Sequence, residues 1–271
     1  MTIGSTIGGV ETDPVDISTL EFDVLWEHHH GDAQMPLVLR VPSPGRTDDE
    51  RKRIVRAAWD GLASRGLGTP VDAHPGLTTL LSLLRKPDLE IDGRLWLGGE
   101  VRLLAAATGD QAVLAVLTNG RLALRPADAT GLPRFALSVL PEAPAGPGQS
   151  ITLPTADFEA AAKEAGKQEE LAVALRERGV RASDAQALAD MIGDIVRRGQ
   201  YGSAHRDKWG RRVRAGRVIS FFDTEAGRYL QVRRESEDTE PWTTISPASP
   251  RRLLQHLTEL HDERPSQGVS H

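Results

Sequence analysis

Cysteine is absent from all 271 residues. That excludes disulfides, thiolate metal sites and a cysteine nucleophile, and it fits a reducing compartment. Long apolar runs are missing too, since none approaches the roughly 20 residues that span a bilayer. Met1 to Pro14 has neither a basic region nor an apolar one, so no signal peptide is expected and the protein is placed in the cytoplasm, away from membranes. Aromatic residues make up only 4% of the chain. Basic residues are outnumbered, 33 Lys and Arg against 38 Asp and Glu, which argues against a dedicated nucleic-acid binder. There is no phosphate-cradling glycine loop ending in Lys-Ser/Thr, no Gly-x-Gly-x-x-Gly after a strand and no Gly-x-Ser-x-Gly elbow. No catalytic, cofactor or metal residue is therefore assigned, and the expectation is a protein that is not an enzyme. An enzyme lacking a familiar signature stays as a further reading, whose mark would be a deep pocket with convergent polar groups.

What the chain does have is a repeat. An apolar run, a polar turn, Gly-Arg and a second apolar run occur at Val113–Leu124, around Gly120, and again at Val218–Leu230, around Gly227. Arg-Gly-aliphatic stands upstream of each, at Arg65-Gly66-Leu67 and Arg178-Gly179-Val180, and a Leu-rich segment follows each, at Leu132 to Leu140 and Leu253 to Leu260. Two pseudo-symmetric α+β halves sharing one sheet are expected. Superposition should align the Asn119-Gly120 hairpin with the Ala226-Gly227 hairpin.

Local patterns fill in the elements. Phe22 to Glu27 and Leu37 to Val41 read as two strands around a polar turn. Thr47-Asp48-Asp49-Glu50 is a capping-box pattern, opening a helix with Val55, Trp59 and Leu62 on one stripe and Gly66 at its stop. Leu77 to Leu84 is a second helix. A meander follows from Leu95 to Leu124, with Asn119-Gly120 as its tight hairpin. The stretch Pro141 to Gly148, rich in Pro and Gly, is expected to be an unpacked linker. Beyond it come helices at Thr155 to Glu164 and Glu169 to Glu177, and a helix capped by Ser183-Asp184 that runs to Arg197. Strands follow at Tyr201 to His205, Val213 to Phe222, Tyr229 to Arg233 and Trp242 to Ile245. Ser249-Pro250 opens the last helix. The boundaries are residues 1–140, a linker at 141–150, residues 151–263 and a polar tail at 264–271.

Two clusters invite a functional assignment. His28-His29-His30 lies at the first expected hairpin, where strand neighbours point to opposite faces and no fourth ligand is evident, so a solvated turn is read there. Arg197 to Arg217 holds eight basic residues against Asp207, with Tyr201 and Trp209 interleaved. Such a mixture can grip phosphates and stack bases. It also suits a strongly charged hairpin or a protein contact, and the acidity of the remaining chain favours those.

Taken together, several stretches in order resemble the EspG family. They are Leu39-Arg40-Val41 through Arg65-Gly66-Leu67, Leu84-Arg85-Lys86-Pro87-Asp88-Leu89-Glu90-Ile91-Asp92-Gly93-Arg94-Leu95-Trp96, Gly109 to Ala115, and Asp223-Thr224-Glu225-Ala226-Gly227-Arg228-Tyr229-Leu230 with Trp242 and Ser246-Pro247. The resemblance implies an α+β fold in which a central, mostly antiparallel sheet is flanked by helical bundles in two quasi-twofold halves, one EspG-like domain overall. It implies a cytosolic chaperone of actinobacterial type VII secretion that binds a PE–PPE-like helical substrate and is not an enzyme. The chain lacks the long C-terminal extension of mycobacterial members and has its own His28-His29-His30 turn. The client is therefore left open between PE/PPE and WXG types, and a homodimer is left open as well. The resemblance places the client on the central sheet and the C-terminal helical region. On the strand Tyr229 to Arg233, Leu230 and Val232 should face the core. Tyr229, Gln231 and Arg233 should share the opposite face and touch the partner.

Overall fold

The computed structural model describes residues 14–236 and 239–263. The expected tail at 264–271 and the opening residues before Pro14 lie outside the described residues. Contact clustering separates two compact units, one built from residues 14–94, 99–136 and 204–213, the other from 95–98, 137–203 and 214–263.

The first unit opens with strand β1 (Val15–Ser18), and Ser18 turns the chain into helix α1 (Thr19–His30). Ser18 Oγ accepts the Glu21 N–H at 3.2 Å, and Glu21 Oε2 accepts the Ser18 N–H at 2.7 Å. This reciprocal cap satisfies two otherwise orphaned donors. It overrides the strand expectation for Phe22 to Glu27, because Phe22, Leu25 and Trp26 are spaced to bury one helical stripe. Leu37–Leu39 is likewise a single 3₁₀ turn and not a strand.

Helix α2 (Asp48–Ser64) starts as expected, with Thr47 Oγ1 accepting the Glu50 N–H at 3.3 Å. Glu50 closes the cap one residue earlier than anticipated, on the Arg46 N–H at 2.9 Å. Ala58, Trp59 and Leu62 are buried. Helix α3 (Pro75–Arg85) follows. Then come β2 (Leu89–Trp96), β3 (Glu100–Thr108), β4 (Gln111–Thr118), β5 (Arg121–Asp128) and the short helix α4 (Leu132–Leu137). The strand order is β1-β5-β4-β3-β2. Asn119 (φ 50°) and Gly120 (φ 73°) form the tight turn between β4 and β5, the left-handed pair that a two-residue hairpin requires. One core joins Phe22, Leu25, Leu62, Leu81 and Leu84 from the helices to Leu104, Val113, Leu122 and Leu124 from the strands.

The elements that follow are β6 (Ile151–Pro154), α5 (Thr155–Glu164), α6 (Gln168–Glu177), α7 (Ala182–Met191), β7 (Arg197–Arg206), β8 (Arg212–Arg214), β9 (Ile219–Thr224), β10 (Gly227–Ser236), β11 (Thr239–Pro247) and α8 (Pro250–Asp262), all in the second unit except the end of β7 and the start of β8, which count with the first. Here the order is β7-β9-β10-β11-β6, with β8 beside β7. Helix α7 differs from expectation at both ends. Ser183 and Asp184 lie inside it, and it stops at Met191, before Gly193, so Ile195 and Val196 do not extend its face. The expected strand Val213 to Phe222 is broken into β8 and β9.

The fold is therefore mixed α+β on antiparallel sheet structure, with eight α-helices among the described residues. The units repeat one order of elements: a short strand, three helices, a meander and a closing helix. The Arg-Gly-aliphatic repeat sits at equivalent points, ending the second helix of each. Gly66 N–H bonds Ala63 O and Leu67 N–H bonds Leu62 O, and Gly179 and Val180 bond Arg176 O and Leu175 O in the same pattern. Both are Schellman caps, with Gly66 at φ 69° and Gly179 at φ 83°. The Gly-Arg hairpins, by contrast, are one hairpin out of register. Gly120 joins β4 to β5, the last two strands of its unit's meander, whereas Gly227 joins β9 to β10, followed by β11. The expected alignment of those two turns does not hold.

Candidate partner-binding surface

Strand β10 carries the three residues singled out as a partner surface. Antiparallel pairing puts Tyr229, Phe222 and Pro247 on one face, together with Gln231 and Ile245. On the other face lie Leu230 and Val232 with Phe221 and Ile219, all buried as expected. The first face is covered as well. Tyr229, Phe222 and Ile245 join a core with Ile151 and Leu153 of β6, Ala161 of α5, Leu171 and Leu175 of α6, and Leu188 and Met191 of α7. Tyr229 is 1% exposed, its ring stacked on Phe222 at 5.2 Å. The alternation was right, but the inference that its second face is open was not: Tyr229 is a core residue. Gln231 is half-buried. Arg233 is exposed and reaches Glu159 of α5 at 3.3 Å.

The segment Pro141 to Gly148 explains much of that burial. It is not an unpacked linker. Ala145 bridges Arg228 in parallel, with Gly146 N–H donating to Arg228 O (3.1 Å) and Arg228 N–H donating to Pro144 O (2.8 Å). Tyr229 Oη donates to Pro147 O at 3.1 Å. Gly146 lies flat on the Tyr229 ring, so that a Cβ there would overlap Cζ. Gly227 (φ 136°) has the same constraint from the other side, because its Cβ would meet Gly146 N at 2.6 Å. Two glycines thus let the two backbones touch.

Beneath this strap Arg228 and Asp223 form a buried pair. Arg228 Nη2 also donates to Pro141 O at 3.0 Å, and its guanidinium lies 5.2 Å from the Phe221 ring centroid. The family-like run Asp223 to Tyr229 therefore fastens residues 141–148 to the sheet. Sequence periodicity had no signal for this, because the contacts join positions about 80 residues apart.

The basic segment is not one continuous patch. Arg197 pairs with Asp223 at 3.6 Å, Arg211 with Asp207 at 2.8 Å, Arg212 with Glu90 and Arg217 with Glu263. Tyr201 is fully buried, while Trp209 is exposed. The histidines close α1 and do not form a hairpin. His28 packs edge-on to Trp59 with centroids 5.1 Å apart, and His30 packs on Trp26 at 4.4 Å with Nε2 3.3 Å from Leu81 O. Burial lowers the His30 pKa. Among the described residues no group of three or more His, Cys, Asp or Glu could hold a metal ion, and no helix is long and apolar enough to cross a membrane.

A groove of about 730 Å³ in the first unit is lined by Val15, Leu67, Leu80, Leu83 and Ala112, and by Asp16 and Arg65 among its polar groups. These two are engaged in the fold: Arg65 Nη1 donates to Asp16 O at 2.6 Å, and Arg121 Nε donates to Asp16 Oδ2 at 2.9 Å. Its lining also includes His74, Thr79, Asp110 and Gln111.

Fourteen chains of solved structures match this one. One comes from the structure of the Mycobacterium tuberculosis type VII secretion system chaperone EspG5 in complex with a PE25–PPE41 dimer. It is similar with a TM-score of 0.71 at 18% identity, over 93% of this chain and 97% of that one. This is a likeness of fold. Among curated proteins, none matches. The EspG family matches residues 18–259, nearly the whole sequence, and the chain belongs to that family.

Proposed function

We propose that this protein is a type VII secretion chaperone that binds a PE–PPE-like helical substrate and keeps it soluble in the cytoplasm, acting without catalysis. The observation that carries this is the family match over residues 18–259. The shared fold with a chain from a chaperone–PE–PPE complex supports it. The physics is consistent with the role. A helical hairpin with an apolar tip self-associates in water, and a partner that covers the tip removes that apolar area from solvent. About 800 Å² on each side makes an ordinary specific interface.

Of the three residues first assigned to the client, Tyr229 is buried, Gln231 is half-buried and Arg233 is the most accessible. Tyr229 contributes by holding the strap and the strand in place. The second unit also exposes Ile195 and Val196, 41% and 45% accessible, directly after α7. We assign these as the apolar part of the contact, with Arg233 contributing polar contact area. Affinity purification from the source organism, followed by co-expression with the recovered client, tests the proposal. The client should aggregate alone and elute as a defined complex with the chaperone. Recovery of no helical secretion substrate, or a client equally soluble without this chain, would overturn it.

A further inference from the structure

The turn between β7 and β8 holds an exposed indole in a basic frame. Trp209 is 66% exposed. Lys208 Nζ lies 4.4 Å from its ring centroid and Arg211 Cζ 4.7 Å. A single exposed apolar side chain is ordinary on a protein surface. This one differs because the turn that carries it is fixed. Asp207 Oδ1 accepts the N–H groups of both Trp209 and Arg211 at 2.9 Å, and Oδ2 accepts Arg211 Nε at 2.8 Å. Asp207 N–H donates to Arg211 O and Gly210 N–H to Asp207 O, each at 2.9 Å. Arg206 Nη1 donates to Gly210 O at 2.8 Å, and Gly210 takes the left-handed φ of 75° that closes the turn. The indole is thus presented on a braced tip, which reduces the ordering cost of a contact.

We infer that the Asp207–Arg211 tip is a docking point for an acidic protein segment that carries an aromatic or large aliphatic side chain. Residues 206–211 hold Arg206, Lys208 and Arg211 against one acid, Asp207, on a chain of net charge −5. That local reversal of sign steers an acidic partner to this tip. Carboxylates of the segment pair with Lys208 and Arg211, and its apolar side chain covers the indole. Trp and Arg are the residues that dominate binding energy at protein contacts.

A nucleic acid fits this tip less well. Consecutive bases need more than one stacking platform, and Tyr201, the other aromatic of the segment, is buried. Several cations needed to neutralise phosphates are already engaged, Arg197 on Asp223, Arg212 on Glu90 and Arg217 on Glu263. This contact goes beyond the client proposal and stands apart from it.

Fluorescence anisotropy on the full chain tests it, with a labelled peptide of Asp and Glu carrying one central Phe and one Leu. The comparison probes are a labelled oligothymidine of similar length and phosphatidylglycerol vesicles. Saturable peptide binding is expected, at least about tenfold weaker for Trp209→Ala. For Lys208→Gln, binding should be weaker and its salt dependence reduced. Circular dichroism checks that both variants are folded, as exposed positions predict. Equal binding by wild type and folded Trp209→Ala, no saturable binding of the peptide, or tighter binding of the oligothymidine or the vesicles would each overturn the assignment.

Discussion

Arg228 grips Asp223 with two parallel hydrogen bonds, Nε to Oδ1 at 2.7 Å and Nη2 to Oδ2 at 2.9 Å, and both side chains are removed from water, 4% and 2% exposed. The pair lies five residues apart across the β9–β10 hairpin and carries the strap 141–148 on its outer donor. Breaking one partner leaves the other charge in a dry site, Asp223 with only the longer contact to Arg197 at 3.6 Å. Arg228→Ala or Asp223→Ala should each cost about 3–5 kcal/mol. Replacing both by apolar residues should cost clearly less than the sum of the two. Urea unfolding of the two singles and the double decides this, and strictly additive losses would show that the two residues do not act as a unit.

The strap should be sensitive too, though less so than the pair. Gly146→Ala adds a methyl where the Tyr229 ring already sits, and overpacking of that kind costs about 1–3 kcal/mol. Tyr229→Phe keeps the ring and loses the bond to Pro147 O, worth about 1 kcal/mol. Chemical denaturation should therefore rank Gly146→Ala below Tyr229→Phe. Wild-type stability in Gly146→Ala would mean the strap is not held against β10.

Trp59 anchors α2 in the first unit's core at 5% exposure, with His28 of α1 against its edge. Trp59→Ala should cost about 3–5 kcal/mol, the range for emptying a large aromatic site. His28→Ala should cost much less, since His28 is exposed and leaves no cavity. Thermal melts of the two variants give the ordering directly.

Acid should weaken the first unit through His30. Burial lowers its pKa, the bond to Leu81 O works the other way, and nearby His29 and Arg85 lower it further. As pH falls below about 6.5, the unfolded chain takes up the proton first. Stability is thus retained above that pH and lost as pH falls toward the lower folded value. Burial lowers His256 in the second unit as well. Unfolding midpoints between pH 7.5 and 5 should fall for wild type and fall less for His30→Phe. Parallel curves would assign the acid sensitivity elsewhere.

Much of this architecture is legible in short-range chemistry. The Thr47 cap, the Asn119-Gly120 turn, the Gly66 stop and the Ser249-Pro250 start each depend on a few neighbouring residues, and each is found. The errors come where distant contacts decide. Phe22 to Trp26 is rich in residues that suit strands, yet the Ser18–Glu21 cap and burial against α2 and α3 make it helical. Tyr229 alternates correctly, but alternation cannot reveal that helices α5 to α7 and a strap from 80 residues upstream close its second face.

The client contact is the remaining point, and two substitutions separate its parts. Arg233 sits at the rim of β10, with its guanidinium 3.3 Å from Glu159 of α5. The exposed pair is worth at most about 1 kcal/mol to the fold, and Arg233→Glu turns it into a repulsion with Glu159, so a loss of about 1–2 kcal/mol is expected in a variant that stays folded. If a client packs there, reversing the charge removes the Arg233 contact and weakens binding. Ile195 and Val196 offer apolar area without a long side chain to order. Ile195→Asp puts a charge into any apolar contact, while costing the free protein little at 41% exposure. Calorimetry with the recovered client should show Ile195→Asp losing more affinity than Arg233→Glu, since burying an unpaired carboxylate costs more than losing a rim ion pair. Full affinity in both folded variants would remove the contact from these residues.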